Sequence, residues 1–234
     1  MDTGLSLNKL FRYEETNIDL GLRDATEGYK LDPENSFLPT PNVEEKIKAF
    51  VQEPTTDVIS FPYLTPEYCK NLISLCEDID QFKHRPGDEF PAPEMDLKDI
   101  SPYLNTTHVE FIEKHVLPIA TAIWKFPVIW LASAFVVKHT VEGQTGNPGW
   151  HHDGMGDVTL SVQLNEDFES GGVFFERQKY MAGKLPVGEA ILFPSKVTHR
   201  HTALNITSGT RYSLTYWMSG HIPSDQSLRI EEQT

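Results

Sequence analysis

Residues 157–165 read DVTLSVQLN. Val158, Leu160, Val162 and Leu164 alternate with Thr159, Ser161 and Gln163. A period of two belongs to extended chain, where successive side chains leave opposite faces. The stretch therefore predicts a strand with one apolar and one polar face. The pattern leaves open whether Thr159, Ser161 and Gln163 line a pocket or meet solvent. Working outward, WLASAFVVKH (130–139) reads as a buried strand, and GGVFFERQ (171–178), EAILFP (189–194), VTHRH (197–201) and TRYSLTYWMS (210–219) follow with Gly and Pro turns between them.

Upstream the period changes. In LTPEYCKNLISLCEDI (64–79), Thr65 is placed to cap a helix and Pro66 to begin it. Cys69, Leu72, Ile73 and Cys76 then form its apolar stripe. A second helix is predicted from Thr107, with Glu110 at capping-box spacing and a kink at Pro118. Two helices ahead of about seven or eight short strands predict an α+β protein with a β-sandwich or jelly-roll core. Residues 1–55 are polar and turn-rich and read as an N-terminal extension packed on the core, because Phe37, Leu38 and Phe50 favour burial. Residues 56–234 form the main domain.

The chain has 234 residues, enough for a sizeable core, and a net charge of −14. That charge disfavours nucleic acid, which is bound by exchanging phosphate counterions for Lys and Arg. It equally disfavours an anionic membrane surface, and no apolar run is long enough to span a bilayer. The first twenty residues lack the apolar centre of a signal peptide. Cys69 and Cys76, seven apart, would sit roughly 10 Å apart along a helix, too far for a disulfide. These features predict buried thiols and a cytoplasmic, reducing location. The Asn-x-Thr triplets at Asn105 and Asn205 are read as chance matches.

Chemistry concentrates in the second half. His151 and Asp153 are two apart in WHHD (150–153), so in extended chain they share a face that His152 does not. His199 and His201 each offer a second imidazole. Two histidines and one carboxylate are the ligand set of non-haem Fe(II) oxygenases, and three coordination positions remain open. A zinc hydrolase has use for the same three ligands plus water, and a non-catalytic jelly-roll module could keep a metal there. Arg211 separates these readings. With Ser213, two further along the same strand face, it forms a clamp for a carboxylate. An oxygenase that chelates iron with a 2-oxo acid needs that clamp, and the alternatives do not. Trp150 and Trp217 read as core residues, and His84, His108, His115 and His221 as surface or capping residues.

The quoted segments have a wider likeness. AFVVKHT (134–140), HHD, TLSVQLN, ESGGVFFER (169–177), GEAILFPSKVTHRHTAL (188–204) and GTRYSL (209–214) together resemble the 2-oxoglutarate- and Fe(II)-dependent dioxygenases. Within them the likeness is to the catalytic domain of the procollagen lysyl hydroxylases, from about Phe61 to Met218. The resemblance implies a double-stranded β-helix with flanking N-terminal helices. It implies iron on His151, Asp153 and His201 rather than His199, and Arg211 on the distal carboxylate of 2-oxoglutarate. It implies O2 and 2-oxoglutarate as co-substrates, ascorbate as an accessory reductant and, by analogy alone, a homodimer that no sequence feature requires. The product expected is a hydroxylated small molecule or peptide, such as an amino acid, a lysine-like side chain or a biosynthetic intermediate. His139 stands where that branch usually carries a tyrosine that helps bind 2-oxoglutarate, and its imidazole offers one hydrogen bond instead. Asp153 is retained, whereas related halogenases lack it, so oxygen insertion is expected rather than chlorination. The loop TVEGQTGNPGW (140–150) also departs from that branch, at a place where loops shape substrate choice.

Overall fold

The computed structural model describes residues 10–30, 39–84, 92–126, 130–143 and 149–220. Phe37, Leu38, His221 and part of the 140–150 loop lie outside them. Strands β1 (Gln52–Thr55), β2 (Val58–Pro62), β3 (Glu94–Asp96), β4 (Trp130–Thr140), β5 (Val158–Gln163), β9 (Glu189–Pro194) and β11 (Ile206–Ser219) form one antiparallel sheet in the order β1-β2-β9-β5-β11-β4-β3. Strand β6 (Phe168–Ser170) pairs with the start of β11. A second sheet, in the order β10-β7-β8, comprises β7 (Val173–Phe175), β8 (Tyr180–Ala182) and β10 (His201–Ala203). Two antiparallel sheets with helices on one side are the α+β jelly roll expected from the sequence.

Alternation along each central strand decides what lies on either face of the large sheet. Leu160 and Val162 of β5, Ala190 and Leu192 of β9, and Leu214, Tyr216 and Met218 of β11 join the main core beneath the helices. Ile191 and Phe193 point the other way and pack with Val173 and Phe175 of the small sheet. Thr159 and Ser161 of β5 and Ser213 and Thr215 of β11 share that second face, so they end up between the sheets. Gly188 closes the approach to β9 at φ +84, where an added Cβ would sit 1.9 Å from the Leu64 carbonyl oxygen. Only glycine suits that backbone and that contact.

Helices α1 (Leu20–Thr26) and α2 (Pro41–Phe50) precede α3 (Pro66–Ile79). Leu10, Ile18, Leu22, Val43 and Ile47 are buried in the same core cluster as the strands. Helix α3 begins as predicted, with Pro66 in its first turn and the Thr65 hydroxyl accepting from the Tyr68 N–H. Cys69 and Cys76 are buried and free, and burial pushes both thiols up to about 12.

The second predicted helix starts earlier than its capping-box spacing suggested. After the short α4 (Leu97–Ile100), α5 spans Pro102–Phe111, capped by the Ser101 hydroxyl. Thr107 lies inside it and donates to the Tyr103 carbonyl. A serine followed by proline at the first position outcompetes a threonine that the helix has already enclosed. The expected interruption is a π-helical turn, Ile112–Val116, leading into α6 (Leu117–Trp124). Pro118 has no N–H to offer the preceding turn, which accounts for the break.

Two histidines read as surface or capping residues are buried instead. His108 lies between the hydroxyls of Tyr68 and Tyr216, at 2.9 and 2.6 Å, and His115 between those of Tyr13 and Thr26, at 3.0 and 2.9 Å. Burial holds them neutral, pushing their pKa values down to about 3 and about 4. Only packing of distant segments brings those hydroxyls to the rings. VTHRH is likewise not a strand throughout. Val197 takes a left-handed backbone at φ 53, and pairing resumes only at His201.

Candidate metal centre and its cavity

His151 and His201 face each other in an antiparallel backbone bridge, each N–H donating to the other's carbonyl at 3.0 Å. That bridge extends the small sheet and sets the two imidazoles side by side, with centroids 4.5 Å apart. Asp153 follows two residues after His151. Its Oδ1 lies 3.6 Å from His151 Nε2, and its Oδ2 lies 3.7 Å from His201 Nε2. One ligand atom from each of the three residues falls within 4.8 Å of the others.

The proton positions on both rings follow from their partners. His151 Nδ1 lies 2.6 Å from the Gly149 carbonyl oxygen, and His201 Nδ1 lies 2.9 Å from that of His199. A carbonyl only accepts, so Nδ1 carries the hydrogen in each ring and the Nε2 lone pair is free to face the centre. Burial lowers the pKa of His201, and the Asp153 charge opposes that shift. Two imidazole nitrogens and one carboxylate suit Fe(II) or a similar divalent cation. Asp153 is itself held. The Thr159 hydroxyl reaches its Oδ2 at 2.6 Å, and the Ser195 hydroxyl reaches Thr159 Oγ1 at 2.8 Å.

The three residues line a cavity of about 150 Å³ between the sheets. Arg211 and Ser213 of β11 line the same cavity, and both are buried. Burial pushes the Arg211 pKa down to about 10, so the guanidinium stays charged at neutral pH. Its Nε lies 3.5 Å from Gln163 Oε1, and among the described residues no carboxylate pairs with it. His139 sits directly across the β4–β11 register from Arg211. Burial, helped by the Arg211 charge, pushes His139 down to about 3 and leaves it neutral. Val173, Phe193, Phe135 and Trp217 supply apolar wall.

His199, the other candidate ligand, faces away from this centre. Its Nδ1 is 2.9 Å from the Thr198 hydroxyl and its Nε2 is 3.2 Å from the Thr56 carbonyl. His152 is exposed. Trp217 lines the cavity rather than the core, and Trp150 packs edge-on against Phe174 with the Arg200 guanidinium 5.6 Å from its ring centroid. Thr159 and Ser161 line the cavity, which settles the face that the alternation left open. Ser195 gave no sequence signal. It comes from the end of another strand, and only the β5–β9 register brings it beside Thr159.

No protein-family model matches the chain. Its fold is that of the 2-oxoglutarate–Fe(II) oxygenases. A solved oxidoreductase of the 2OG-Fe(II) oxygenase family from Burkholderia pseudomallei superposes with a TM-score of 0.54 at 14% identity, over 76% of this chain and 90% of that one. In sequence, the chain is 30% identical over 171 residues to the procollagen lysyl hydroxylase and glycosyltransferase of Acanthamoeba polyphaga mimivirus, covering 68% of this chain and 19% of that protein. It is 27% identical over 197 residues to the 2-oxoglutarate and iron-dependent oxygenase domain-containing protein 2 of Danio rerio, covering 76% of this chain and 54% of that protein. The chain is thus similar in sequence to part of the procollagen lysyl hydroxylases and shares the fold of the 2-oxoglutarate–Fe(II) oxygenases. It spans about a fifth of the length of the lysyl hydroxylases it matches.

Proposed function

We propose that the chain is an Fe(II)- and 2-oxoglutarate-dependent dioxygenase that hydroxylates an unactivated C–H bond of an amino acid, a peptidyl lysine or a small biosynthetic intermediate. The observation that carries this reading is the joining, in one cavity, of the His151–Asp153–His201 cluster with a buried, charged Arg211. A metal hydrolase has no use for such a cation, whereas a dicarboxylate co-substrate matches it.

In this reading His151 and His201 hold iron through Nε2, and Asp153 adds the anionic ligand. Arg211 binds the distal carboxylate of 2-oxoglutarate through parallel charge-assisted hydrogen bonds, with Ser213 adding a third. His139, neutral and beside Arg211, offers one ring N–H without opposing the anion. Phe135, Val173, Phe193 and Trp217 exclude water and help fix the substrate carbon. Bound iron and 2-oxoglutarate supply the oxidising chemistry, in which R–H, O2 and 2-oxoglutarate give R–OH, succinate and CO2. Residues 1–55 are proposed as an extension packed on the 56–234 domain, supported by the burial of Leu10, Ile18, Leu22, Val43 and Ile47. The two buried free thiols support a cytoplasmic setting. Among the described residues no helix is long and apolar enough to cross a membrane.

The test begins with anaerobic titration of Fe(II) and 2-oxoglutarate, following the visible charge-transfer band of the chelate. Free amino acids and lysine-containing peptides are then supplied with O2 and ascorbate. Succinate release and a product heavier by about 16 mass units are expected, from insertion of one oxygen atom. Folded, iron-loaded protein that forms no chelate band and no succinate would refute the reading.

A further inference from the structure

Asp153 is almost entirely buried, and so are Thr159 and Ser195, both beneath it. The Thr159 and Ser195 hydroxyls are shut off from bulk water, so they bond within the protein. The carboxylate of Asp153 only accepts, so the Thr159 hydroxyl donates to Oδ2 at 2.6 Å. A hydroxyl has a single hydrogen. Thr159 has spent its own on Asp153, and it must therefore accept from Ser195 at 2.8 Å. The direction of the chain follows from this count: Ser195 donates to Thr159, and Thr159 donates to Asp153.

The backbone makes this chain rigid. Thr159 pairs with Phe193 across the β5–β9 ladder, which brings Ser195 alongside, and the Ser195 N–H donates to the Asp157 carbonyl at 2.9 Å. We infer that Thr159 and Ser195 are positioning residues, a hydroxyl chain that fixes the Asp153 carboxylate and commits one of its oxygens. The other oxygen, Oδ1, lies toward His151 Nε2 and is left for the cation. A carboxylate restricted in this way presents one oxygen to the metal and preserves the open positions that a chelating co-substrate and O2 require. This inference rests on the proposed use of Asp153 as a metal ligand.

The test reads metal binding alone. The full chain and its Thr159→Val, Thr159→Ser and Ser195→Ala variants are titrated with Mn(II), following free Mn(II) by its electron paramagnetic resonance signal. Thermal unfolding without metal checks that each variant is folded. Loss of such an outer hydrogen bond costs about 10–100-fold in metal affinity. Thr159→Val is expected to weaken Mn(II) binding within that range and to change the spectrum of the bound ion. Thr159→Ser keeps the hydroxyl and should restore both, and Ser195→Ala should weaken binding less than Thr159→Val. If Thr159→Val fails to fold, Ser195→Ala against wild type carries the same test. Variants that bind Mn(II) as wild type does would overturn the inference and leave the proposed function standing. Folded wild type that binds no Mn(II) would overturn both.

Discussion

Replacing Arg211 by methionine should stabilise the ligand-free protein while removing its hold on 2-oxoglutarate. The side chain is 4% exposed, and among the described residues no carboxylate neutralises it. Its pKa falls from 12.5 to about 10 through burial. Each pKa unit corresponds to about 1.4 kcal/mol, so the charged form is disfavoured by roughly 3 kcal/mol relative to water. Methionine fills much of the same volume without charge, although it loses the contact with Gln163. A net gain of about 1–2 kcal/mol follows, or about 2–8 °C in Tm for a domain of this size. Binding should move the other way. Two parallel charge-assisted hydrogen bonds are lost, which at about 3 kcal/mol together weakens 2-oxoglutarate binding by about 100-fold. Thermal melts of both proteins, with metal fixed and 2-oxoglutarate varied, read both effects in one experiment. An Arg211→Met protein that is less stable without ligand, yet is stabilised by 2-oxoglutarate as wild type is, would refute this reasoning.

Stability should fall as pH drops below 6.5. His108 and His115 have folded pKa values pushed down to about 3 and about 4, so the unfolded chain binds more protons from the ordinary histidine value of 6.5 downward. The expected slope is up to about 1.4 kcal/mol per pH unit for each ring, read from urea midpoints, and His115→Gln should flatten it. Gly188→Ala should destabilise by about 3 kcal/mol or more, since it adds a Cβ 1.9 Å from the Leu64 carbonyl at positive φ, and equilibrium unfolding measures this directly. Cys69 and Cys76, held near 12, should resist a thiol reagent at pH 8 until the protein unfolds, and then react together. His201→Gln should abolish metal binding while His199→Gln retains it, because only the former ring faces Asp153; equal loss in both would require a different ligand set.

The strand alternation in DVTLSVQLN, the start of α3 and the pairing of His151 with Asp153 on one face were all legible in the chain, because each depends on neighbours within a turn or a strand. So was the spacing of Arg211 and Ser213, for the same reason. Between His199 and His201, which lie two residues apart in the motif, the sequence favoured His201 only through its family likeness and its spacing to Arg211. The bridge that pairs His151 with His201 is a long-range backbone contact, and it is what sets the His201 ring beside His151 while His199 faces away. The same holds for the start of α5, where Ser101 and Pro102 prevailed over a locally plausible capping box, and for the buried His108 and His115, whose hydroxyl partners come from distant segments. Ser195 is the clearest case. Nothing in its neighbourhood along the chain marks it, and only the register between β5 and β9 sets its hydroxyl beside Thr159. Local periodicity fixes which face a side chain leaves by, and the packing of two sheets fixes what it meets there.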